Sequence, residues 1–246
     1  ADITVNMGVL KNDGTLADNV SGFTTWTPIG NYQSPYAGTF DGQGHTMSGL
    51  YLDNSGLNDV GFFGWNNGTI KNVGVVDSYF YGNNYVGGVC GENGGTITGC
   101  YNTGTVHGIH WVGGVCGNNF GGTITGCYNT GQVSGSDHIS GVLGGTLDDE
   151  GPNTISNCYY DNGTCTAGGI DGADVAGKAE GKSTAQFGSG EVAYLLSKGY
   201  NGSVWGQQIG TDPLPVHNGP KVYYGYAPDD CQQQKYANTM LTETPN

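Results

Sequence analysis

Seven cysteines are the residues of this chain with the widest chemical repertoire. Cys90, Cys100, Cys116, Cys127, Cys158, Cys165 and Cys231 could pair as disulfides, ligate a metal or lie buried as thiols. None has the C-x-x-C spacing of a zinc or redox site. Cys90 with Cys100, and Cys116 with Cys127, recur in two similar stretches, so pairing across a thin core is one reading. Cys158 with Cys165, across a six-residue turn, is a third pair of the same kind. The competing reading is free buried thiols acting as small apolar residues. Cys231 is the odd one, and its partner is expected outside this stretch of chain.

Histidines and carboxylates come next. His107-Gly108-Ile109-His110-Trp111 places two histidines in what reads as an exposed turn. Zinc normally takes four ligands, and nothing nearby offers the other two. His45 reads as a hydrogen-bonding turn residue. Asp148, Asp149 and Glu150 form the only dense acidic cluster and are binding-face candidates. A glycosidase pair there would need opposed carboxylates across a groove about 5–10 Å wide, whereas a solvated loop needs nothing more. Asp161, Asp171 and Asp174 lie in Gly-rich turns and are the candidate ligands for structural calcium. No EF-hand or nonapeptide calcium pattern accompanies them, and no other cofactor is expected.

A repeat must position all of these residues. Residues 86–106 read VGGVCGENGGTITGCYNTGTV, and residues 112–133 read VGGVCGNNFGGTITGCYNTGQV. Equivalent glycines at Gly61, Gly88, Gly114 and Gly141 are 27, 26 and 27 residues apart. A fixed period of about 20–50 residues marks a solenoid. Four coils span 59–169, and each is expected to hold three short strands separated by Asn/Gly turns. Such rungs stack about 4.8 Å apart in a parallel β-helix, like residue over like residue. Cys100–Cys127–Cys158 and Phe63–Cys90–Cys116–Leu143 are therefore expected core ladders.

Residues 1–58 alternate β-like runs with turns and read as degenerate rungs, so the helical repeats occupy 1–169. The fourth coil carries an insertion at Leu147–Asn153, and insertions in solenoids become loops on one face. Residues 170–226 lose the repeat and read as a small α/β cap over the strand edges at the open end. A short helix is expected at about 190–198, with Ser189 as its N-cap and Gly199 as its stop. Residues 227–246 read as a tail or the start of another module. The opening Ala1-Asp2-Ile3-Thr4-Val5 already looks like strand, which suggests a piece of a longer protein.

Side chains alternate along a strand, so if the core cysteines point inward, Tyr101, Tyr128 and Tyr159 point outward. Such a ladder could stack on sugars or bury a partner, and with the acidic cluster it completes the candidate binding face. The alternative is rung-to-rung stacking that only stiffens the solenoid.

The GGTITGCYNTG cores, the phrase Phe40-Asp41-Gly42-Gln43-Gly44-His45-Thr46-Met47-Ser48-Gly49-Leu50 and the lead-in Trp26-Thr27-Pro28-Ile29-Gly30 together resemble GLUG-motif repeat proteins. The resemblance covers most of residues 22–226, although the usual opening of the first coil is missing. It implies a right-handed parallel β-helix of a bacterial surface or secreted protein, and some such proteins carry a separate peptidase module. The family has no shared catalytic residues to carry over. Residues 158–161, 180–184, 187–196 and 204–206 resemble the segment that commonly closes these repeats.

The formal charge is −14, and all seven basic residues are lysines. Nucleic acid needs a positive footprint that this chain lacks. No apolar run of about 18 residues is present, so no membrane insertion is expected. Three functions remain. The first is a non-catalytic module at the bacterial surface or outside the cell, binding a host glycan or protein or acting as a rigid spacer. The second is a structural subunit that assembles with other copies or modules. The third is a carbohydrate-active β-helix enzyme, disfavoured because lyases of this fold generally use an Arg or Lys near the sugar carboxylate.

Overall fold

The computed structural model describes residues 1–146, 153–199, 204–227 and 230–241. The period read from the sequence appears as parallel stacking. Thr69–Val76, Thr96–Thr98, Thr123–Thr125 and Thr154–Ser156 form one ladder, with Ile70, Ile97, Ile124 and Ile155 in register. Phe63–Asn66, Cys90–Asn93, Cys116–Asn119 and Leu143–Thr146 form another, which pairs Phe63, Cys90, Cys116 and Leu143 as expected. A third joins Tyr51–Asp53, Tyr79–Tyr81, Thr105–His107 and Val133–Ser134. Tyr101, Tyr128 and Tyr159 pair in register, and the Cys100 amide donates to Cys127 Sγ at 3.4 Å, so the second cysteine stack also forms.

The coils hold more strands than the three the sequence suggested, five in the second and third: Tyr101–Asn102 and Tyr128–Asn129 are separate from the Thr-Ile strands, and a further ladder appears. Asn84–Gly87, His110–Gly113 and Asp137–Ser140 stack as a separate three-stranded ladder. The expected His107–Trp111 turn therefore ends one strand with His107 and begins the next with His110. The short run was unreadable as strand because its corner residues have left-handed backbones. Asp59, Tyr85, Trp111 and His138 all have φ between 49° and 58°.

Apolar residues converge from all the ladders to fill the interior. Ile70, Ile97, Ile124, Val86, Val112, Val106 and the stacked cysteines are fully buried. Each fully buried aliphatic side chain contributes about 1.5–3 kcal/mol relative to exposure. Buried asparagines hold the turns. Asn66 Nδ2 donates to Asn93 Oδ1 at 2.8 Å, Asn93 to Asn119 at 2.7 Å and Asn119 to Asn153 at 2.8 Å. Asn102 donates likewise to Asn129 at 2.8 Å. In low dielectric these amide chains satisfy polar groups that would otherwise be orphaned.

Residues 1–58 stack under the first coil. Thr39–Ser48 pairs in parallel with Thr69–Val76, and Ile3–Thr4 adds to Met47–Ser48. Asp77 secures the N-terminal segment by accepting the amides of Gly8 at 2.9 Å and Leu10 at 2.8 Å.

Beyond the coils, Ala179–Lys182 adds a last parallel strand to Cys158–Asp161. Two helices follow, α1 at Thr184–Gly188 and α2 at Glu191–Gly199. Ser183 caps α1 through a capping box with Gln186. Ser189 is the C-cap of α1, and its Oγ also accepts the Glu191 amide at 3.3 Å. The expected single helix is thus α2, preceded by a turn of helix that a five-residue apolar pattern could not signal. Trp205–Gly206 pairs with Val216–His217, and Tyr223–Ala227 pairs with Asp230–Ala237. The chain as far as Ala237 is therefore hydrogen-bonded to the closing segment.

This α/β unit lies along the side of the solenoid. Trp205 Nε1 donates to Gly126 O at 2.9 Å, and His217 Nε2 lies 2.7 Å from Gly99 O, so the unit bridges two rungs laterally.

Candidate functional site

The tyrosine ladder is not an exposed face. Tyr101 and Tyr128 stack with centroids 5.0 Å apart, but Tyr128 is 1% exposed and Tyr159 5%. Phe187, Val192, Leu196 and Trp205 pack on them as a second core. Tyr128 donates its hydroxyl to Pro215 O at 2.8 Å. Burial pushes the Tyr159 phenol up to about 12. Alternation correctly aimed these rings away from the cysteines, but it says nothing of what covers them. The other binding-face candidates, Asp148, Asp149 and Glu150, lie outside the described residues.

The disulfide reading is corrected. Cys90, Cys100, Cys116, Cys127, Cys158 and Cys165 are all buried free thiols. In the repeats each thiol turns to a carbonyl of its own rung: Cys90 to Glu92 O at 2.9 Å, Cys116 to Asn118 O at 3.1 Å and Cys127 to Thr125 O at 3.3 Å. These thiols share one buried core cluster with Ile97, Val86, Val112 and Ile124. Burial pushes Cys90 and Cys127 well above the ordinary thiol range, which makes them poor nucleophiles. The side chain of Cys231 lies outside the described residues.

The three aspartates proposed for calcium are separately engaged. Asp161 is buried and accepts from the Gly163 amide at 2.8 Å and Thr184 Oγ1 at 2.7 Å. Asp174 accepts from the Tyr160 hydroxyl at 3.0 Å, and Asp171 pairs with His138. Among the described residues no three His, Cys, Asp or Glu side chains come together as a metal would require. His107 Nδ1 meets Ser134 Oγ at 2.8 Å, and His110 Nδ1 lies 3.6 Å from Asp137. His45 lies 3.4 Å from Asp2.

A different constellation emerges where two ladders meet. One runs up the left-handed corner through Asp59, Tyr85, Trp111 and His138. The other runs through Trp65, Glu92 and Asn118, which are register partners on successive rungs. Glycines let the two approach: a Cβ on Gly91 would lie 2.6 Å from the Asp59 carbonyl carbon, and one on Gly117 2.5 Å from that of Tyr85. Between them opens a cleft of about 450 Å³, lined by Tyr32, Asn58, Asp59, Trp65, Tyr85, Glu92 and Phe120.

Its walls are aromatic. Trp65 meets Tyr32 at 5.3 Å and 62°, and Phe120 at 5.8 Å and 64°. Tyr85 stacks on Trp111 at 5.1 Å, and Trp111 on His138 at 5.4 Å. Its charged groups are acids. Glu92 is 3% exposed, and burial, reinforced by the Asp59 charge, pushes its carboxyl up to about 8. Burial lifts Asp59 to about 6. Asn118 sits beside Glu92 and pulls it slightly back down. The Asn118 amide is itself fully buried and makes no well-formed hydrogen bond with any described residue.

Sequence reasoning missed this cleft because Glu92 lies in an Asn/Gly stretch that reads as a turn. Aligning Gly64-Trp65-Asn66, Gly91-Glu92-Asn93 and Gly117-Asn118-Asn119 by the repeat period would have placed the three side chains in one column.

A β-solenoid of some four turns with rungs of about 27 residues and an acidic, aromatic lateral cleft defines a parallel β-helix repeat protein. Residues 82–106, the rung that contains Glu92, match the family described as "The GLUG motif". One rung of the solenoid thus carries the GLUG motif. It is 36% identical over 109 residues to halomucin of Haloquadratum walsbyi, a match covering 43% of this chain and 1% of halomucin. It also resembles a crystal structure from Bacteroides ovatus, provisionally described as an immunoglobulin A1 protease. That likeness has a TM-score of 0.51 at 19% identity, covers 80% of this chain and 82% of the other, and concerns the fold alone. No described helix is long and apolar enough to cross a membrane.

Proposed function

We propose that this chain is a non-catalytic extracellular repeat module of a cell-surface protein. It binds a host or environmental glycan in the Trp65–Glu92 cleft while the ladders hold that cleft at a fixed position. The observation that carries this reading is the cleft: aromatic walls offer faces for a sugar ring, and Asp59 with Asn58 offers polar contacts at the rim. The GLUG match and the similarity to halomucin support the module reading. The test is a glycan array probed with the wild type and Trp65→Ala. Binding that Trp65→Ala abolishes supports it, and binding indifferent to Trp65 removes the cleft from the account.

A second reading has one specific observation behind it. Glu92 and Asp59 are two carboxyls lining one cleft, and burial pushes Glu92 up to about 8, as a glycosidase general acid requires. A general acid must touch the leaving oxygen, and Glu92 is 3% exposed, which favours binding over cleavage. Release of reducing ends from a polysaccharide panel, lost in Glu92→Gln, would reverse that preference.

A further inference from the structure

Among the described residues the cleft carries two carboxylates and no cation, and this asymmetry says what its ligand must bring. The lining residues include no Lys or His. The lysines near other carboxylates are engaged elsewhere, Lys71 with Asp41 at 3.2 Å and Lys182 with Glu180 at 3.5 Å. A buried acid without a counter-charge is costly when ionised, and in a stable fold such a group is normally paired. The rings add a second argument. A continuous sugar platform presents coplanar faces, whereas Tyr32 and Phe120 each stand some 60° from Trp65 and so form walls. Aromatic walls around a point attract a cation through their ring quadrupoles.

We propose that this cleft recognises a saccharide that bears a free ammonium group, with the sugar ring against Trp65 and the ammonium between the aromatic walls and the Asp59 and Glu92 carboxylates. The assignment rests on the ligand-binding reading above and deepens it. Asp59, half-buried at the rim, supplies the direct contact. Glu92, at the back, supplies charge once the ammonium has drawn it into its ionised form. The volume of about 450 Å³ leaves room for a pyranose and its neighbour in a chain. Asn118, the register partner of Glu92 on the next rung, lies beside it and favours its ionised form.

The experiment is isothermal titration of the whole chain at neutral pH with chitosan oligosaccharides and with their fully N-acetylated counterparts, which keep the ring and lose the charge. Choline serves as an ammonium without a sugar. The free amine should bind at least about tenfold more tightly than the N-acetyl form, the equivalent of ~1.4 kcal/mol. Asp59→Asn and Glu92→Gln should each reduce that preference, and Trp65→Ala should weaken both ligands. Equal binding of amine and N-acetyl forms overturns the ammonium assignment. If that equal binding still depends on Trp65, the glycan-binding reading survives alone. Choline binding as tight as the oligosaccharide overturns the sugar half. An amine preference intact in the Asp59→Asn, Glu92→Gln double variant overturns the assignment of the carboxylates. No binding of any saccharide at the cleft overturns both readings. Circular dichroism of each variant separates lost binding from lost fold.

Discussion

Glu92→Gln should change how stability responds to pH. In the unfolded chain Glu92 titrates near its ordinary value of 4.5, and in the folded protein near 8. Below about pH 4.5 both states hold the proton. As pH rises from there to about 8, the unfolded state gives it up and the folded state keeps it, so stability falls at ~1.4 kcal/mol per pH unit. Above about 8 the folded state ionises too and the loss levels off. Over the whole span Glu92 therefore removes ~3–5 kcal/mol, a large share of a typical domain's stability. Asp59 adds a smaller loss between about pH 4 and 6, cut by solvent screening at its half-exposed position to ~1 kcal/mol.

Glutamine keeps the shape of Glu92 and cannot ionise. Guanidinium unfolding of wild type and Glu92→Gln, at pH steps from 5 to 9, reads this group together with its coupling to Asp59, since titrations not coupled to Glu92 are common to both. The variant should match the wild type within about 1 kcal/mol at pH 5 and exceed it by ~3–4 kcal/mol at pH 9. Parallel profiles would mean that Glu92 is solvated in the folded protein, and the acidic cleft would lose its electrostatic basis.

Three other perturbations probe the scaffold. Gly91→Ala should cost ~1–3 kcal/mol by thermal melting, because its Cβ would meet Asp59 backbone at 2.6 Å and the corner cannot yield without moving the cleft; a neutral effect would refute the close approach. Tyr128→Ala should cost ~3–5 kcal/mol and raise hydrogen exchange across α1, α2 and Trp205–Gly206, since Tyr128 is the centre of the second core; unchanged exchange there would show that the flank unit is held by other contacts. Reductant should leave the melting midpoint unchanged, because the six described cysteines are thiols, whereas the loss of a native disulfide would cost ~2–5 kcal/mol.

Legibility followed the repeat. The Phe63–Cys90–Cys116–Leu143 column was readable because identical spacing fixes register, and register fixes which side chains superpose. Burial of the cysteines followed, but not their pairing, which depends on how their Cβ atoms face one another across the core. Tyr128 shows where the reading stopped. Its direction came from strand alternation, while its burial came from Phe187 and Trp205, in a segment with no period. The cleft was hidden for the opposite reason. Its residues lie inside the period, but Trp65, Glu92 and Asn118 differ in type, so a search for like residues passes over them. Variation at one column of an otherwise constant repeat was the signal.

The corner column strengthens that point. The solenoid needs a left-handed residue at several turns, and elsewhere it uses residues suited to it. Gly99 and Gly126 sit at φ 60° and 61°, with Asn72 and Asn157 at 54° and 50° in other turns. Glycine has no Cβ to clash there, and asparagine is among the residues enriched in this region. The cleft corner instead places Tyr85 and Trp111 in the same conformation, each at a cost of order 1–2 kcal/mol, below His138, a type that tolerates it better. Stacking at 5.1 and 5.4 Å offsets part of that cost, about 0.5–1.5 kcal/mol per aromatic pair. Asp59, at the foot of the column, has no ring to stack, and its carboxylate lines the cleft with its pKa raised by burial. Strain held at Tyr85, a position that glycine would relax and whose ring lines the cleft, is better explained by what that ring does there, with Trp111 stacked behind it, than by the folding of the rung.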